Sequence, residues 1–382
     1  MIAAGTLLLA GAMGIGRFAY TPLLPAMQDV LGWSVSRAGD VASANFLGYL
    51  VGALLASALS KREARWGWLV AGMILSVATT GGGAFITSYS AWLVLRFLSG
   101  VASAFCLVLG TVVILEHLAR SGAAGFGALH FSGVGAGIVV SVVVIELAKG
   151  AGLPMSGRWG ALGSVCVLLI GGAWLVLRRL PGRALPSTSV VAPARDAAPA
   201  SNPLLFRLIL AYGLFGFGYV VTATFIVAMA RRLEHSALAE PLTWIVVGLL
   251  AAPSVPVWQR VARRIGVFAA LRFAFAFEAA GVLLAGYGSG HAALVLGGAL
   301  LGGTFAAITA IGLAAARQIA GRHEQSVVGW MTASFGLGQL VGPAAAGRLA
   351  DYSGGFEAPS LVAATLLIIG VVLLLGAEKS LP

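Results

Sequence analysis

Residues 91–115 read AWLVLRFLSGVASAFCLVLGTVVIL, an apolar run interrupted by one charge, Arg96. At about 1.5 Å of rise per helical residue, a run of this length exceeds the ~30 Å of hydrocarbon in a bilayer. Its apolar positions are continuous instead of alternating, which reads as a membrane helix and not as a barrel strand. Similar runs, separated by charged or Gly/Pro-rich punctuation, recur along the whole chain. They fall at about 3–27, 38–59, 66–86, 91–115, 124–148 and 158–178, then at about 204–230, 241–259, 267–288, 291–316, 326–349 and 359–377. The composition agrees. Of 382 residues 59% are hydrophobic and only 10% charged, against about 25% charged in a soluble domain, and mean hydropathy is +0.97. A soluble enzyme is excluded. The expected fold is an all-α membrane protein of twelve transmembrane helices. The first run starts almost at Met1 without a basic leader and is followed by others, so it is read as a retained helix.

The net charge of +11 raises the question of nucleic acid, and the positions of the basic residues answer it. If both termini are cytoplasmic, fifteen Lys and Arg, among them Lys61, Arg65, Arg120, Arg178, Arg207, Arg263 and Arg317, fall on the inner side. Six, Arg37, Lys149, Arg158, Arg231, Arg232 and Arg348, fall on the outer side, and Arg17, Arg96 and Arg272 lie within spans. Positive charge is retained on the cytoplasmic side, so this bias predicts cytoplasmic N- and C-termini. No nucleic-acid partner is needed. Cys106 and Cys166 both lie in apolar runs and imply no disulfide framework.

Residues 180–203 carry five prolines and almost no large apolar side chain, the composition of a cytoplasmic linker. They separate an N-terminal six-helix bundle, 1–179, from a C-terminal one, 204–382. The halves read as a repeat. Gly14-Ile15-Gly16 answers Gly216-Phe217-Gly218, Ala26-Met27 answers Ala228-Met229, and Gly127 and Ser132 answer Gly329 and Ser334, all at one spacing. Six runs is an even number, so the repeat is parallel, with its axis along the membrane normal and an expected central cavity.

The chain resembles the major facilitator superfamily of transporters over essentially its whole length. More narrowly, Gly14-Ile15-Gly16-Arg17-Phe18-Ala19-Tyr20-Thr21-Pro22-Leu23-Leu24-Pro25 resembles the opening of the YbfB/YjiJ-type branch. Arg96 to Ala104, R-x-x-x-G-x-x-x-A, is similar to the arginine motif of span four, which implies a role for Arg96 in proton coupling. Gly338-Gln339-Leu340-Val341-Gly342-Pro343 is similar to a Gly-Pro helix-packing motif. Two departures stand out. Ala64 occupies the loop position where the superfamily often has an acid before Arg65-x-Gly67, and Gly133-Val134-Gly135-Ala136-Gly137 lacks the proline of many drug antiporters.

A charge at bilayer depth costs about 2.5–3.5 kcal/mol on insertion scales, so each marks a functional candidate. Arg17 is expected to engage an anionic substrate or a carboxylate, or else to pin two helices, with Tyr20 and Thr21 at i+3 and i+4 on its face. Arg96 keeps its charge at any relevant pH, so it would act on a neighbouring acid or carboxylate, or snorkel to the interface. Glu278, in the middle of span nine, and His130, in span five, are the candidates to carry protons, each weighed against a packing role. Asn45, Tyr49, Tyr212, Tyr219, Thr222, Trp330 and Gln339 are candidate lining residues, each weighed against helix packing.

No phosphate-binding loop occurs, and neither a cofactor nor a metal is expected. Energy is therefore drawn from an ion or solute gradient. The expectation is a monomeric secondary active transporter for a small organic anion or zwitterion, proton-coupled and working by alternating access. The alternatives are an exporter of multiple drugs or hydrophobic compounds, and a non-transporting membrane receptor or sensor on the same scaffold.

Overall fold

The computed structural model describes residues 1–58, 62–179, 202–233, 238–320 and 324–380, and every regular element among them is helical. The expected linker at 180–203 lies almost wholly outside the described residues. Where a single helix is expected over 3–27, the chain is interrupted. α1 (Ile2–Leu9) runs into a π-helical turn (Ala10–Ile15), an irregular turn at 16–19, and then α2 (Tyr20–Leu31), which ends on Gly32 at φ +64°. The cause is local: Gly11, Gly14 and Gly16 each cost a helix about 1 kcal/mol relative to alanine. The amides of Gly16 and Phe18 reach back five residues, to Gly11 O at 2.8 Å and Met13 O at 3.2 Å, the widened pattern of a π-turn.

The remaining helices follow the apolar runs and overshoot them by a turn where polar residues leave the hydrocarbon. They are α3 (Val35–Ala58), α4 (Arg62–Gly82), α5 (Tyr89–Arg120), a 3₁₀ stretch (Ala124–Phe131) leading into α6 (Ser132–Gly150), and α7 (Met155–Leu177). Next come α8 (Pro203–Arg232), α9 (Ala239–Ile265), α10 (Val267–Tyr287), α11 (His291–Ala320), α12 (Glu324–Ser353) and α13 (Glu357–Leu373). Among the described residues ten helical segments are long and apolar enough to cross a membrane; α13 is a shorter apolar helix. Starts are capped where the sequence allows. Ser88 accepts the amide of Ala91 at 3.2 Å before α5, and Asn202 accepts those of Leu204 and Leu205 before α8, with Pro203 at the first helical position.

The chain divides into two compact units, Met1–Trp33 with Ala44–Ala192, and Ser34–Ser43 with Pro193–Pro382. Within the first unit, the opening segment lies backbone to backbone on α6. A Cβ on Gly133 would meet Thr6, one on Gly137 would meet Ala10, and one on Gly14 would meet Gly137. Likewise Gly48 and Gly52 bring α3 onto α5, with Gly100 answering from α5. Within the second unit, Gly213, Gly216 and Gly338 bring α8 onto α12, and Gly298 and Gly302 bring α11 onto α9. The same pairing of first with fifth and second with fourth segment thus occurs in each unit, using small residues as membrane helices do.

In the second unit the start of α3 docks on the end of α12. The carboxylate of Asp351 accepts the amides of Val35 at 3.1 Å and Ser36 at 2.9 Å and also the Ser36 hydroxyl. It thereby serves as an N-terminal cap supplied from another helix. Arg348 donates to both oxygens of Asp40, at 2.8 and 3.3 Å, and the amide of Ala344 donates to the Ser43 hydroxyl at 3.1 Å. Partial burial alone raises the Asp351 pKa, but the hydrogen bonds from Ser36, Ser34 and Val35 together outweigh it and hold the carboxyl below its ordinary value.

Two outcomes follow from this packing. Gly137→Val is expected to lower the stability of the purified protein by about 2–3 kcal/mol, because the added methyls meet backbone that cannot step aside. Gly171→Ala, with nothing within 4 Å of the new Cβ, should be neutral or raise stability by about 1 kcal/mol; thermal unfolding in detergent followed by tryptophan fluorescence measures both. Because folding lowers the Asp351 pKa, its stabilisation is fully present above the unfolded value of about 3.9 and is lost as pH falls through the folded value. Hydrogen-exchange protection of Val35 and Ser36, corrected for intrinsic rates, should fall on acidification across that window, and Asp351→Asn should remove this change.

Candidate functional site

The interruption of the first span frees backbone acceptors inside the membrane, where no water is at hand to satisfy them. Arg96, in the second turn of α5, meets them: Nη1 donates to Gly16 O at 3.0 Å and Nη2 to Arg17 O at 2.9 Å. Ser99, one turn further on the same face, donates to Gly16 O at 2.9 Å. Arg96 is itself seated by α3, since the Asn45 side-chain amide donates to the Arg96 carbonyl at 3.0 Å, and its guanidinium lies 5.0 Å from the Tyr20 ring centroid. Asn45, Arg96 and Tyr20 are all buried.

Arg17 sits beside this clamp with 5% of its surface exposed. Its Cζ lies 4.1 Å from the ring centroid of Tyr49, 4.7 Å from that of Phe46 and 5.6 Å from that of Phe18. These are cation–π distances, and in a buried setting they offset part of the cost of removing the charge from water. Arg17, Tyr20, Asn45, Tyr49 and Arg96, scattered over three spans in the sequence, therefore form one cluster. Phe18, Phe46 and Ser99 belong to it and were missed. Ser99 had a signal, its i+3 relation to Arg96; the two phenylalanines are indistinguishable in sequence from ordinary apolar positions.

His130 lies apart from this cluster, fully buried in the 3₁₀ stretch. Its Nε2 is 3.1 Å from the Thr111 hydroxyl and its Nδ1 bonds with the Gly127 carbonyl. Since that carbonyl can only accept, Nδ1 donates, and a neutral imidazole then accepts from Thr111 through Nε2. Both nitrogens of the neutral ring are satisfied. Arg65, on α4, forms a 2.8 Å ion pair with Glu116 near the end of α5. It thus has an acid partner although Ala64 precedes it.

In the second unit, Tyr219 on α8 lies between Phe305 of α11 and Phe335 of α12, with ring planes inclined by 4° and 2° and centroids 5.9 and 5.8 Å away. The Gln339 amide nitrogen donates to the Tyr219 hydroxyl, while Gln339 Oε1 and the Thr222 hydroxyl are buried without a hydrogen-bond partner among the described residues. Tyr212 donates to the Thr309 carbonyl at 3.1 Å. Trp330 is 51% exposed and lies nine residues, about 13.5 Å of helix, from Gln339. Glu278, at the centre of α10, is fully buried and accepts the hydroxyl of Thr304 from α11, leaving Oε1 without a partner among the described residues. Arg272, by contrast, belongs to the end of the helix layer, pairing with Glu378 at 2.6 Å and donating to Leu374 O at 3.1 Å.

A chain of long apolar helices with a doubled pairing pattern and buried, partly unpartnered polar groups belongs to the class of polytopic membrane carriers, not of enzymes. It is a member of the major facilitator superfamily: residues 9–375 match the family described as "Uncharacterised MFS-type transporter YbfB". A curated relative, the uncharacterized MFS-type transporter YceJ of Bacillus subtilis (strain 168), is 24% identical over 279 residues. That alignment covers 68% of this chain and 66% of YceJ, slightly less than two thirds of the relative's length. Among solved structures, the nucleoside transporter NupG superposes with a TM-score of 0.74 at 15% identity, covering 99% of this chain and 96% of NupG. A point mutant of NupG gives 0.73 with 99% of both chains covered. At this identity the likeness is one of fold.

The clamp makes its own prediction. Arg96→Met removes two charge-assisted hydrogen bonds and leaves the Arg17 carbonyl unmet, at an expected cost of about 3 kcal/mol. Ser99→Ala, which leaves Arg96 on Gly16, should cost about 1 kcal/mol. Thermal unfolding of the two variants in the same detergent checks both the magnitudes and their order.

Proposed function

We propose that this protein is a secondary active transporter that moves a small organic anion or zwitterion across a bacterial inner membrane by alternating access, coupled to protons. Family membership supports the carrier reading. The ten apolar membrane segments, taken with α12 and α13 as the remaining two, support twelve spans in two six-helix bundles. The excess of inner-side Lys and Arg supports cytoplasmic termini. One copy contains every group invoked, which favours a monomer.

The observation that carries the substrate reading is Arg17, a buried cation amid aromatic rings with no carboxylate among its described contacts. A permanent charge held at depth without a counter-ion among the described residues favours an anionic solute. Tyr20, Asn45 and Tyr49 on one unit, and Tyr219, Thr222, Trp330 and Gln339 on the other, are the proposed substrate-contacting or positioning residues. Glu278 is the proposed proton carrier. Its sole described side-chain partner, the Thr304 hydroxyl, can donate to the carboxylate or accept from the acid, so the pair tolerates both ionisation states. Arg96 is proposed to serve coupling indirectly, by holding the backbone at Gly16 and Arg17, and His130 by bracing the 3₁₀ stretch against α5.

The test is flux in proteoliposomes, screening organic anions, amino acids and nucleosides with and without an imposed pH gradient. Saturable transport driven by the gradient is expected. Glu278→Gln should lose the acceleration by the gradient while retaining solute exchange, and Arg17→Gln should lose transport while remaining folded. Binding without flux would favour a receptor and overturn the carrier reading; flux indifferent to the gradient would overturn proton coupling.

A further inference from the structure

Arg17 and Arg96, the two arginines of the cluster at the interrupted span, are used differently, and the difference identifies the chemical group that Arg17 receives. Arg96 spends Nη1 and Nη2 on the Gly16 and Arg17 carbonyls, and its Nε–H is without a partner among the described residues. Arg17 is the reverse: its Nε and Nη2 are buried, and neither has a hydrogen-bond acceptor among the described residues. In a guanidinium, the Nε and Nη2 hydrogens lie on one edge, pointing the same way. They form the side-on fork that matches the two oxygens of a carboxylate. The rings of Tyr49, Phe46 and Phe18 stand around the guanidinium and Tyr49 also shares a side-chain hydrogen bond with it, so the Nε–Nη2 edge is the part left for a further acceptor.

We infer that Arg17 binds the carboxylate of an organic monocarboxylate side-on through Nε and Nη2, with Phe18, Phe46 and Tyr49 against the ligand's apolar body. This rests on the carrier reading above and narrows it to a substrate class. Three features favour a monocarboxylate over phosphate or a dianion. The fork offers two parallel N–H groups, a planar acceptor is what two parallel donors select, and the second guanidinium nearby is committed to backbone. The surrounding rings supply apolar contact and few donors, which disfavours a group carrying several charged oxygens. Arg17 Nε and Nη2 are shut off from solvent in this conformation. Binding must therefore accompany a rearrangement around the interrupted first span, whose π-turn and clamped carbonyls adjoin Arg17.

The test uses the full chain purified in detergent, with thermal shift and calorimetry as readouts. The probes are a series of sodium monocarboxylates from acetate to octanoate, benzoate and phenylacetate, the matching primary amides, and inorganic phosphate. Stabilisation by at least one carboxylate, with its amide and phosphate roughly tenfold or more weaker, is expected, the scale of losing a charge-assisted hydrogen bond. Arg17→Lys, which keeps the charge and loses the fork, should weaken carboxylate binding by a similar factor, and Phe46→Ala should flatten the preference among apolar bodies. Equal binding of acid and amide, phosphate binding as well as any carboxylate, no binding across the whole series, or unchanged affinity in a folded Arg17→Lys protein would each overturn the inference. The acid-against-amide comparison needs no variant, so misfolding of Arg17→Lys leaves the test intact. Flux in liposomes separates the two readings: transport of a solute without a carboxylate would sink this assignment and leave the carrier standing. Carboxylate binding with no flux would do the opposite.

Discussion

A membrane helix that breaks must have its exposed backbone groups satisfied by protein, because hydrocarbon offers no hydrogen bonds. Here the break falls at residues 16–19, and the donors come from one side chain, Arg96, helped by Ser99. The local path of the first span depends on that interaction. With the Gly16 and Arg17 carbonyls held, the chain leaves the π-turn in a defined direction, α2 starts at Tyr20, and Arg17 is presented to Phe46 and Tyr49 of α3. An arginine suits this task because its charge survives burial and its planar donors can serve two carbonyls at once.

The glycines that permit the break also permit the packing around it. Gly14 and Gly137 let the first span and α6 approach until backbone meets backbone, and Gly48 and Gly100 do the same for α3 and α5. Close approach brings dispersion contacts and backbone dipoles to bear where there is no hydrophobic drive between helices. The second unit repeats the pairing with Gly216, Gly338 and Gly302 but fills its interior differently. Where the first unit buries Arg17, Arg65 and Arg96, the second buries Phe215, Tyr219 and Gln339, stacked against the partly buried Phe305 and Phe335, and an acid, Glu278. One scaffold thus carries a cationic interior in one unit and a neutral, aromatic one with a protonatable group in the other.

The outline of this arrangement was legible in the chain itself. Apolar runs long enough to cross a bilayer marked the helices within a turn or so, since hydropathy and a 1.5 Å rise leave little freedom. Membrane depth singled out Arg17, Arg96 and Glu278, since charges there are expensive enough to be conspicuous. Less was legible where the meaning of a residue depends on what it faces. The break in the first span was invisible as such, because Gly-rich runs occur in many unbroken membrane helices. Phe46 and Phe18 carry no mark that separates an arginine-facing ring from a packing one. Arg96 was read through its charge, whereas its geometry engages the backbone.

The order of residues by itself therefore determined the class of protein, the approximate limits of most of its apolar segments, and the few charges that must be accounted for, because each follows from the free energy of moving groups between water and hydrocarbon. Only the tertiary structure decided which of those charges is satisfied internally. Arg96 is spent on the Gly16 and Arg17 carbonyls, and Arg17 keeps an unmet fork among aromatic rings. That distinction rests on the directions of individual N–H bonds, and directions are set by how helices pack.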